Sequence, residues 1–178
     1  MRGNKIKQIT RNHYINKLID EKNTPNIKVI TVVRISGKSK LMDAFIDILE
    51  KESLLIMIED FLMDNIGSKT SIRNVANKLT SNSYKTNDKT VGAYIEYLCK
   101  SFLFYPIKRY DIKGKKYLEL DKKYYLANLS FRYAQLGTKN ADYGYLYKNI
   151  VDIELLRRGY EVYIGALYDK EVDFVAIK

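Results

Sequence analysis

The chain has very little of the residue types that build disulfides and zinc sites. Its 178 residues include one cysteine, Cys99, and one histidine, His13. A single cysteine excludes an intrachain disulfide and is typical of a reducing compartment. So few sulfur and imidazole ligands also exclude a Cys/His zinc site within one chain. These absences predict a cytoplasmic protein whose core, rather than cross-links, holds the fold.

Long apolar runs are missing too. No apolar run approaches the roughly 18 residues that cross a bilayer, and the polar residues 1–5 are not followed by the hydrophobic stretch of a secretory signal. Tryptophan is absent, and there are only two prolines. With 46% hydrophobic and 29% charged residues, the composition predicts one or two small globular domains and no membrane partner.

The net charge of +10 is distributed unevenly along the chain. Residues 1–40 carry +8, 41–66 carry −6, 67–100 carry +4, 101–139 carry +6 and 140–178 carry −2. Such blocks indicate distinct modules, and the basic middle is able to face phosphate groups. The alternative is a lysine-rich surface that is simply solvated.

The N-terminal region has the layout of a nucleotide-phosphate loop. Apolar spacing predicts a helix over 6–21, β-branched residues predict a strand over 27–33, and helical spacing returns over 38–50. In a phosphate loop, backbone N–H groups and a helix N-terminus meet phosphate oxygens, the lysine pairs with the outer phosphates, and the serine hydroxyl binds magnesium. The candidate residues for ATP with Mg are Arg34, Ser36, Gly37, Lys38 and Ser39, with Ser39 the metal ligand.

Two features weaken this nucleotide prediction. Val32 stands where the first glycine of the loop belongs, and a branched residue resists the backbone angles that glycine adopts there. The apolar run 54–58 before Glu59 and Asp60 imitates a magnesium-organising strand, but apolar residues continue beyond it. We predict an amphipathic helix over 53–66, ended by Gly67. A strand-turn-helix that contains Gly-Lys-Ser by chance remains the alternative to a phosphate loop.

The middle of the chain has the element order of a winged helix-turn-helix. After 53–66, a second helix is predicted over 71–80 with Ser71 as its N-cap, and a third begins near Asn87 or Asp88. A β-hairpin with its turn at 111–115 follows, and Lys123–Leu126 is a further candidate strand.

In a winged helix, the third helix enters a DNA groove and the hairpin tip contacts phosphates. This placement predicts double-stranded DNA as a partner. The alternative is a small packing module with solvated lysines. The candidate nucleic-acid residues are Lys85, Asn87, Lys89, Thr90 and Tyr94 at the third helix, and Lys113, Lys115 and Lys116 at the hairpin tip.

The C-terminal region predicts a helix over 144–159 and strands over 161–165 and 171–177. Metal-dependent nucleases of the PD-(D/E)XK type combine a helix acid, a strand aspartate and a Glu-x-Lys on the next strand, and the carboxylates hold an ion that activates water. Asp173 fits the strand position, but Lys148 stands at the helix position. One carboxylate makes a poor site for a hard ion, so no catalytic residue is predicted here. Asp173 is a candidate nuclease-like remnant, and the alternative is an exposed or strand-capping carboxylate.

Several motifs resemble one known family. They are Arg34-x-Ser36-Gly37-Lys38-Ser39, Leu155-Leu156-Arg157-Arg158-Gly159-Tyr160 and Glu171-Val172-Asp173-Phe174-Val175. The chain resembles prokaryotic AAA-like P-loop ATPases that carry a C-terminal domain of unknown function. The resemblance implies a mixed α/β fold made of a P-loop strand-loop-helix remnant (1–50), a winged helix-turn-helix (51–140) and a partial α/β nuclease-like C-terminal piece (141–178).

The departures from that family set the functional expectation. The middle of an ATPase core is missing between the phosphate loop and the winged segment, Ile35 replaces a second arginine, and the last domain stops before its third strand. The resemblance therefore implies an internally deleted, C-terminally truncated relative that binds ATP weakly and hydrolyses it little. Apolar surface left on 53–66 and on the last sheet predicts self-association or a protein partner.

Overall fold

A computed structural model describes residues 12–24, 38–114, 116–138, 142–168 and 170–178, without the side chains of 38–40 and 116–120. The chain divides into two compact units, Met1–Ser53 and Leu54–Lys178. The described residues form a mixed α/β fold with six helices and a four-stranded sheet. The elements are α1 (Asn12–Glu21), α2 (Lys38–Asp64), α3 (Ile72–Ser81), α4 (Asp88–Lys100), β1 (Phe104–Asp111), β2 (Lys116–Leu126), α5 (Leu129–Leu136), α6 (Tyr143–Arg157), β3 (Glu161–Leu167) and β4 (Lys170–Ile177).

The predicted helices 38–50 and 53–66 are one continuous helix, α2, so the prediction of two helices was wrong. The polar residues 51–53 look like a break in the sequence, but none of them disturbs helical geometry. The alternative that 54–58 forms a strand is wrong for the same reason, because these residues lie within α2. Gly67, in the turn that follows, has a φ of 69°, which fits its predicted role in ending the helix.

The helices α3 and α4 begin where their capping residues predict. The Ser71 side chain accepts a hydrogen bond from the Asn74 N–H at 3.2 Å, and the Asn87 side chain accepts one from the Thr90 N–H at 2.9 Å. Both bonds satisfy N–H groups that a helix start leaves without intrahelical partners. The helix α5 was not predicted. It is short, and Asn128 caps it by accepting from the Ser130 N–H at 2.9 Å.

The sheet has the strand order β2-β1-β3-β4. β1 pairs antiparallel with β2 and parallel with β3, and β3 pairs antiparallel with β4. The β1–β2 ladder is irregular: Ile107 pairs with Lys123, but Arg109 pairs with Leu118. Four residues of β2 therefore bulge opposite Lys108, and this irregularity explains why the sequence indicated two separate strands here. Lys122 in the bulge pairs with Thr70, whose N–H donates to the Lys122 carbonyl at 2.9 Å.

The core of the second unit lies between these helices and the sheet. α3 packs on α4, α4 contacts β1, and α6 packs on β2, β3 and β4. The apolar residues of 54–66 belong to this core rather than to an exposed patch, so the apolar surface expected on 53–66 is largely buried. The most deeply buried side chains are Ile58, Leu62, Met63, Val75, Leu79, Val91, Phe104, Tyr125, Leu126 and Ile164. No helix among the described residues is both long and apolar enough to span a membrane.

We expect Gly165→Ala to lower the free energy of unfolding by about 1–3 kcal/mol, because overpacking a filled site forces its neighbours apart. A Cβ on Gly165 would lie 2.8 Å from the Cβ of Val172 and 2.9 Å from both the Ile112 Cδ1 and the Val175 Cγ2. Urea denaturation measures the change.

Gly92→Ala is the matched control. A Cβ there would lie 3.3 Å from the flexible end of Ile72, and alanine favours the helix by about 1 kcal/mol. Stability unchanged in Gly165→Ala would contradict the close approach of β3, β4 and the hairpin turn.

Candidate functional site

The turn between α3 and α4 forms an open concavity of about 590 Å³. Its lining is mostly hydroxyl and amide groups with one cation, from Thr80, Ser83, Tyr84, Lys85, Thr86, Asn87 and Thr90. The Oγ1 of Thr86 is buried and has no hydrogen-bond partner in the described part of the chain. We call this surface the α3–α4 concavity.

Three of the five predicted residues of the third helix, Lys85, Asn87 and Thr90, line this concavity. Lys85, Asn87 and Lys89 are exposed, and Thr90 is half-buried at the first turn of α4. Asn87 has a structural role as the N-cap of α4. Tyr94 packs partly against the core, so the body of its ring serves the fold.

Some of the charged side chains around α4 form ion pairs and others do not. The Arg73 guanidinium lies 3.6 Å from the Asp88 carboxylate, and the Lys100 ammonium lies 2.6 Å from the Glu96 carboxylate. Lys85 and Lys89 form no ion pair with any other described residue. The cations that remain available to an anion therefore lie at the start of α4, beside the α3–α4 concavity.

The tip of the β1–β2 hairpin is held in place from two sides. The Asp111 carboxylate accepts a hydrogen bond from the Gly114 N–H at 3.0 Å, and the Ile112 N–H donates to the Ala166 carbonyl at 3.0 Å. The Lys113 ammonium lies 4.6 Å from the centroid of the Tyr168 ring, a distance typical of a cation–π contact. Lys115 lies outside the described residues, as does the side chain of Lys116.

The predicted nucleotide residues fall mostly outside the described chain. Arg34, Ser36 and Gly37 are outside it, together with the predicted strand 27–33. Lys38 and Ser39 begin α2, but only their backbone is described. The described residues therefore do not test the prediction of an ATP and magnesium site.

Asp173, the predicted nuclease-like remnant, forms an ion pair with Lys148 at 2.7 Å. This hydrogen bond raises the pKa of Lys148, so the lysine stays charged against the carboxylate. Among the described residues, no group of three or more His, Cys, Asp or Glu side chains is placed to hold a metal ion. The cation that faces Asp173 in this structure is the lysine.

A second polar group lies where α6 packs on the sheet, and the sequence did not reveal it. The side-chain amide of Asn149 bonds the backbone of Leu126 twice, accepting from its N–H at 2.7 Å and donating to its carbonyl at 2.8 Å. Asp152 is fully buried and neither carboxylate oxygen has a partner in the described chain. The buried hydroxyl of Tyr125 also has none.

Burial alone raises the pKa of Asp152 to about 7. The pKa of Tyr125 is raised by burial and further by the charge of Asp152 nearby. The sequence offered one signal for this group, the helical spacing of its polar residues. Asp152 follows Lys148 by four residues and Asn149 by three, so it lies on the same face of α6 as the buried Asn149.

A second ion network crosses the sheet. Glu171 lies 2.6 Å from the buried Lys123 ammonium and 3.0 Å from the exposed Lys69 ammonium. Burial opposes the charge of Glu171, but the two ammonium groups hold the pKa of this carboxyl below its usual value. This network ties β2 and the segment before α3 to β4, and we interpret it as structural.

We expect Asp152 to make the stability of the protein fall as the pH rises from about 4 to about 7. The folded state keeps a proton that the unfolded chain releases near pH 3.8, so ionisation above that pH penalises folding. The full penalty is about 4 kcal/mol for a shift of about three units. Asp152→Asn should remove this slope from a series of denaturation curves.

The exposed carboxylate Asp88 supplies the control for that series, since Asp88→Asn should leave the pH dependence between 5 and 8 unchanged. A wild-type slope that survives in Asp152→Asn would contradict the assignment to this buried carboxyl.

Comparison with known proteins places the chain in a family by sequence. The model of the family described as "Domain of unknown function (DUF8612)" matches residues 37–142. An "Uncharacterized protein" of Haemophilus influenzae (strain ATCC 51907 / DSM 11121 / KW20 / Rd) is 44% identical over 118 residues, which cover 66% of this chain. The match spans only 30% of that relative's length. No solved structure matches the chain.

Proposed function

We propose that residues 51–140 of this chain, which belongs to the DUF8612 family, contain a winged helix-turn-helix that binds double-stranded DNA. In this proposal α4 enters the major groove and the β1–β2 hairpin is the wing. The observation that carries it is the pair of unpaired, exposed cations, Lys85 and Lys89, at the N-terminus of α4 beside the α3–α4 concavity.

The element order supports the proposal. Thr70 lies between the end of α2 and α3, and a single antiparallel β-bridge joins it to Lys122 in β2 beside the hairpin. Three helices followed by a hairpin are the parts of a winged helix. The bridge also places the start of α3, and hence α4, relative to the wing.

The charge distribution supports it as well. Residues 67–139 carry a net charge of +10, and the rest of the chain sums to zero. A cationic module attracts nucleic acid through its phosphates irrespective of sequence, and base contacts add specificity afterwards. In this proposal the exposed Lys85 and Lys89 at the start of α4 contact one phosphate, and Lys113 at the hairpin tip contacts another. Lys115 and Lys116 belong to the same predicted contact.

We expect duplex binding whose affinity falls steeply between about 50 and 200 mM salt. Each lysine that contacts a phosphate contributes about 0.9 to the slope of log affinity against log salt. Lys85→Gln with Lys89→Gln should therefore lower that slope by about 2, and Lys113→Gln by about 1. Fluorescence anisotropy with a labelled duplex measures the slopes.

Lys100→Gln is the matched control, because Lys100 lies on the same helix at its opposite end and pairs with Glu96. Weak binding with a flat salt response would refute the DNA interface and favour a packing module. Equal effects on the salt slope from Lys100→Gln and from Lys85→Gln with Lys89→Gln would refute it as well.

A remnant nucleotide site is the second candidate function. It is favoured by the helical backbone of Lys38 and Ser39, since the lysine and serine of a phosphate loop lie in the helix that follows the loop. The proposed ligands of ATP and magnesium are Arg34, Ser36, Gly37, Lys38 and Ser39. With Val32 in the loop and no assigned catalytic acid, the expected activity is weak binding with little turnover.

Calorimetry with Mg-ATP tests this candidate. We expect a weak binding signal that is lost in Lys38→Ala and kept in Lys40→Ala, the neighbouring lysine that the loop pattern does not use. Identical titrations for wild type and Lys38→Ala would remove the candidate, and rapid Lys38-dependent phosphate release would contradict the expected loss of hydrolysis.

For residues 141–178 we propose a nuclease-like piece that has a structural or interaction role. The Lys148–Asp173 ion pair supports this, because an ammonium group neutralises the carboxylate that a catalytic ion would need. The piece is continuous with the proposed wing through the β1–β3 pairing, so it also supports the hairpin.

A further inference from the structure

The helix α6 exposes a stripe of large apolar side chains. Tyr143 is 68% exposed, Tyr147 66%, Ile150 54% and Val151 45%. Their spacing of four, seven and eight residues places them on one face of the helix. The opposite face carries the buried residues that pack on the sheet. A contiguous stripe of exposed large apolar side chains opposite the packed face is typical of a helix that contacts a second partner. We call the exposed residues the α6 stripe.

The same face changes character toward its C-terminal end. Glu154 accepts hydrogen bonds from the Arg157 and Arg158 side chains, each at 2.7 Å. These contacts hold both guanidinium groups along the line that the α6 stripe follows. The surface therefore has an aromatic half at the N-terminal end and a cationic half at the C-terminal end.

We propose that the α6 stripe is a self-association surface, on which two copies of the chain pack their α6 helices antiparallel about a two-fold axis near Ile150. In this register Tyr143 and Tyr147 of one copy face Arg157, Arg158 and Glu154 of the other. Arginine stacks well on tyrosine, and antiparallel helix dipoles attract. The exposed carboxylate Asp142, the N-cap of α6, comes opposite Arg158.

This complementarity identifies a second copy as the occupant. A two-fold interface requires a surface that is complementary to itself, because residues away from the axis face different residues of the partner and residues on the axis face their own copies. The α6 stripe meets that requirement only in the antiparallel direction. A parallel pair would place Arg157 and Arg158 against the same two arginines.

A shallow groove beside Ile150 extends the contact. It has a volume of about 430 Å³ and is lined by Ala127, Asn128, Leu129, Asn149, Ile150, Ile153 and Glu154. The partner's side chains around the axis reach this groove in the antiparallel arrangement. Its apolar lining adds to the surface that the helix pair removes from water.

The size of the surface sets the expected strength. The four side chains of the α6 stripe expose about 400 Å² per copy. A standard interface buries about 800 Å² per partner, so the α6 pair belongs among weak interfaces. The dimer is therefore expected to form and dissociate over an accessible range of protein concentration.

Sedimentation of the full chain from low micromolar to several hundred micromolar tests the proposal. The average mass should rise from 20.8 kDa toward twice that value. Tyr147→Ser should shift the midpoint of this rise at least tenfold to higher concentration. Tyr97→Ser is the control, because Tyr97 is also 66% exposed but lies on α4, and it should leave the midpoint unchanged. A chain that stays monomeric at all concentrations overturns the proposal, as does a dimer that both variants affect equally.

Cross-linking at a concentration where sedimentation shows the dimer distinguishes the direction of packing. In a Cys99→Ser background, Ile150→Cys lies at the axis and should form a disulfide-linked dimer under mild oxidation, because its Cα approaches the partner's within disulfide range. Tyr143→Cys lies about seven residues from the axis, so its two copies are about 20 Å apart and should stay reduced. Efficient cross-linking of Tyr143→Cys, or none of Ile150→Cys, would refute the antiparallel pair.

Discussion

The pairing of β1 along both of its edges is the constraint on which the second unit depends. β2 binds one edge of β1 and β3 binds the other, although more than thirty residues separate β2 from β3 in the chain. Because β1 and β3 run parallel, the hairpin turn and the β3–β4 turn meet at one end of the sheet. The hairpin tip is therefore supported by a backbone hydrogen bond from Ile112 and by the Lys113–Tyr168 contact. A proposed wing that is held in this way loses little freedom when it meets a phosphate.

The helix α6 buries two polar side chains against the sheet, Asn149 and Asp152, and only Asn149 has hydrogen-bond partners in the described chain. Asn149 satisfies both backbone groups of Leu126, so its burial costs little. Asp152 satisfies none of its oxygens and avoids the larger cost of a buried charge by holding a proton at low pH. A buried carboxyl without a hydrogen-bond partner is uncommon in proteins, and such groups are enriched at functional sites.

Charge and burial together decide which lysines are able to serve a function. Lys123 is buried and bound to Glu171, and Lys148 is bound to Asp173, so both are committed to the fold. Lys85 and Lys89 are exposed and form no ion pair with any other described residue. The proposed DNA interface rests on this difference in environment, since the composition alone counts all lysines alike.

Local patterns in the sequence were sufficient for most of the elements. Ser71 and Asn87 marked two helix starts, because a capping side chain acts on residues within one turn. The hairpin and the last two strands followed from alternation and turn residues. The sequence missed α5, whose eight residues are too few for a periodic signal, and it divided α2 where polar residues interrupt the apolar spacing without breaking the helix.

What the sequence by itself determined was the type and order of these elements, together with the positions where charge accumulates. Only the tertiary structure decided that β1 and β3 are neighbours, that Lys148 faces Asp173, and that Asp152 is buried while Tyr147 is exposed on the same helix. The physical reason is the distance along the chain over which each interaction acts. Caps and periodicity act over a few residues, whereas strand pairing and burial depend on contacts between segments that are distant along the chain.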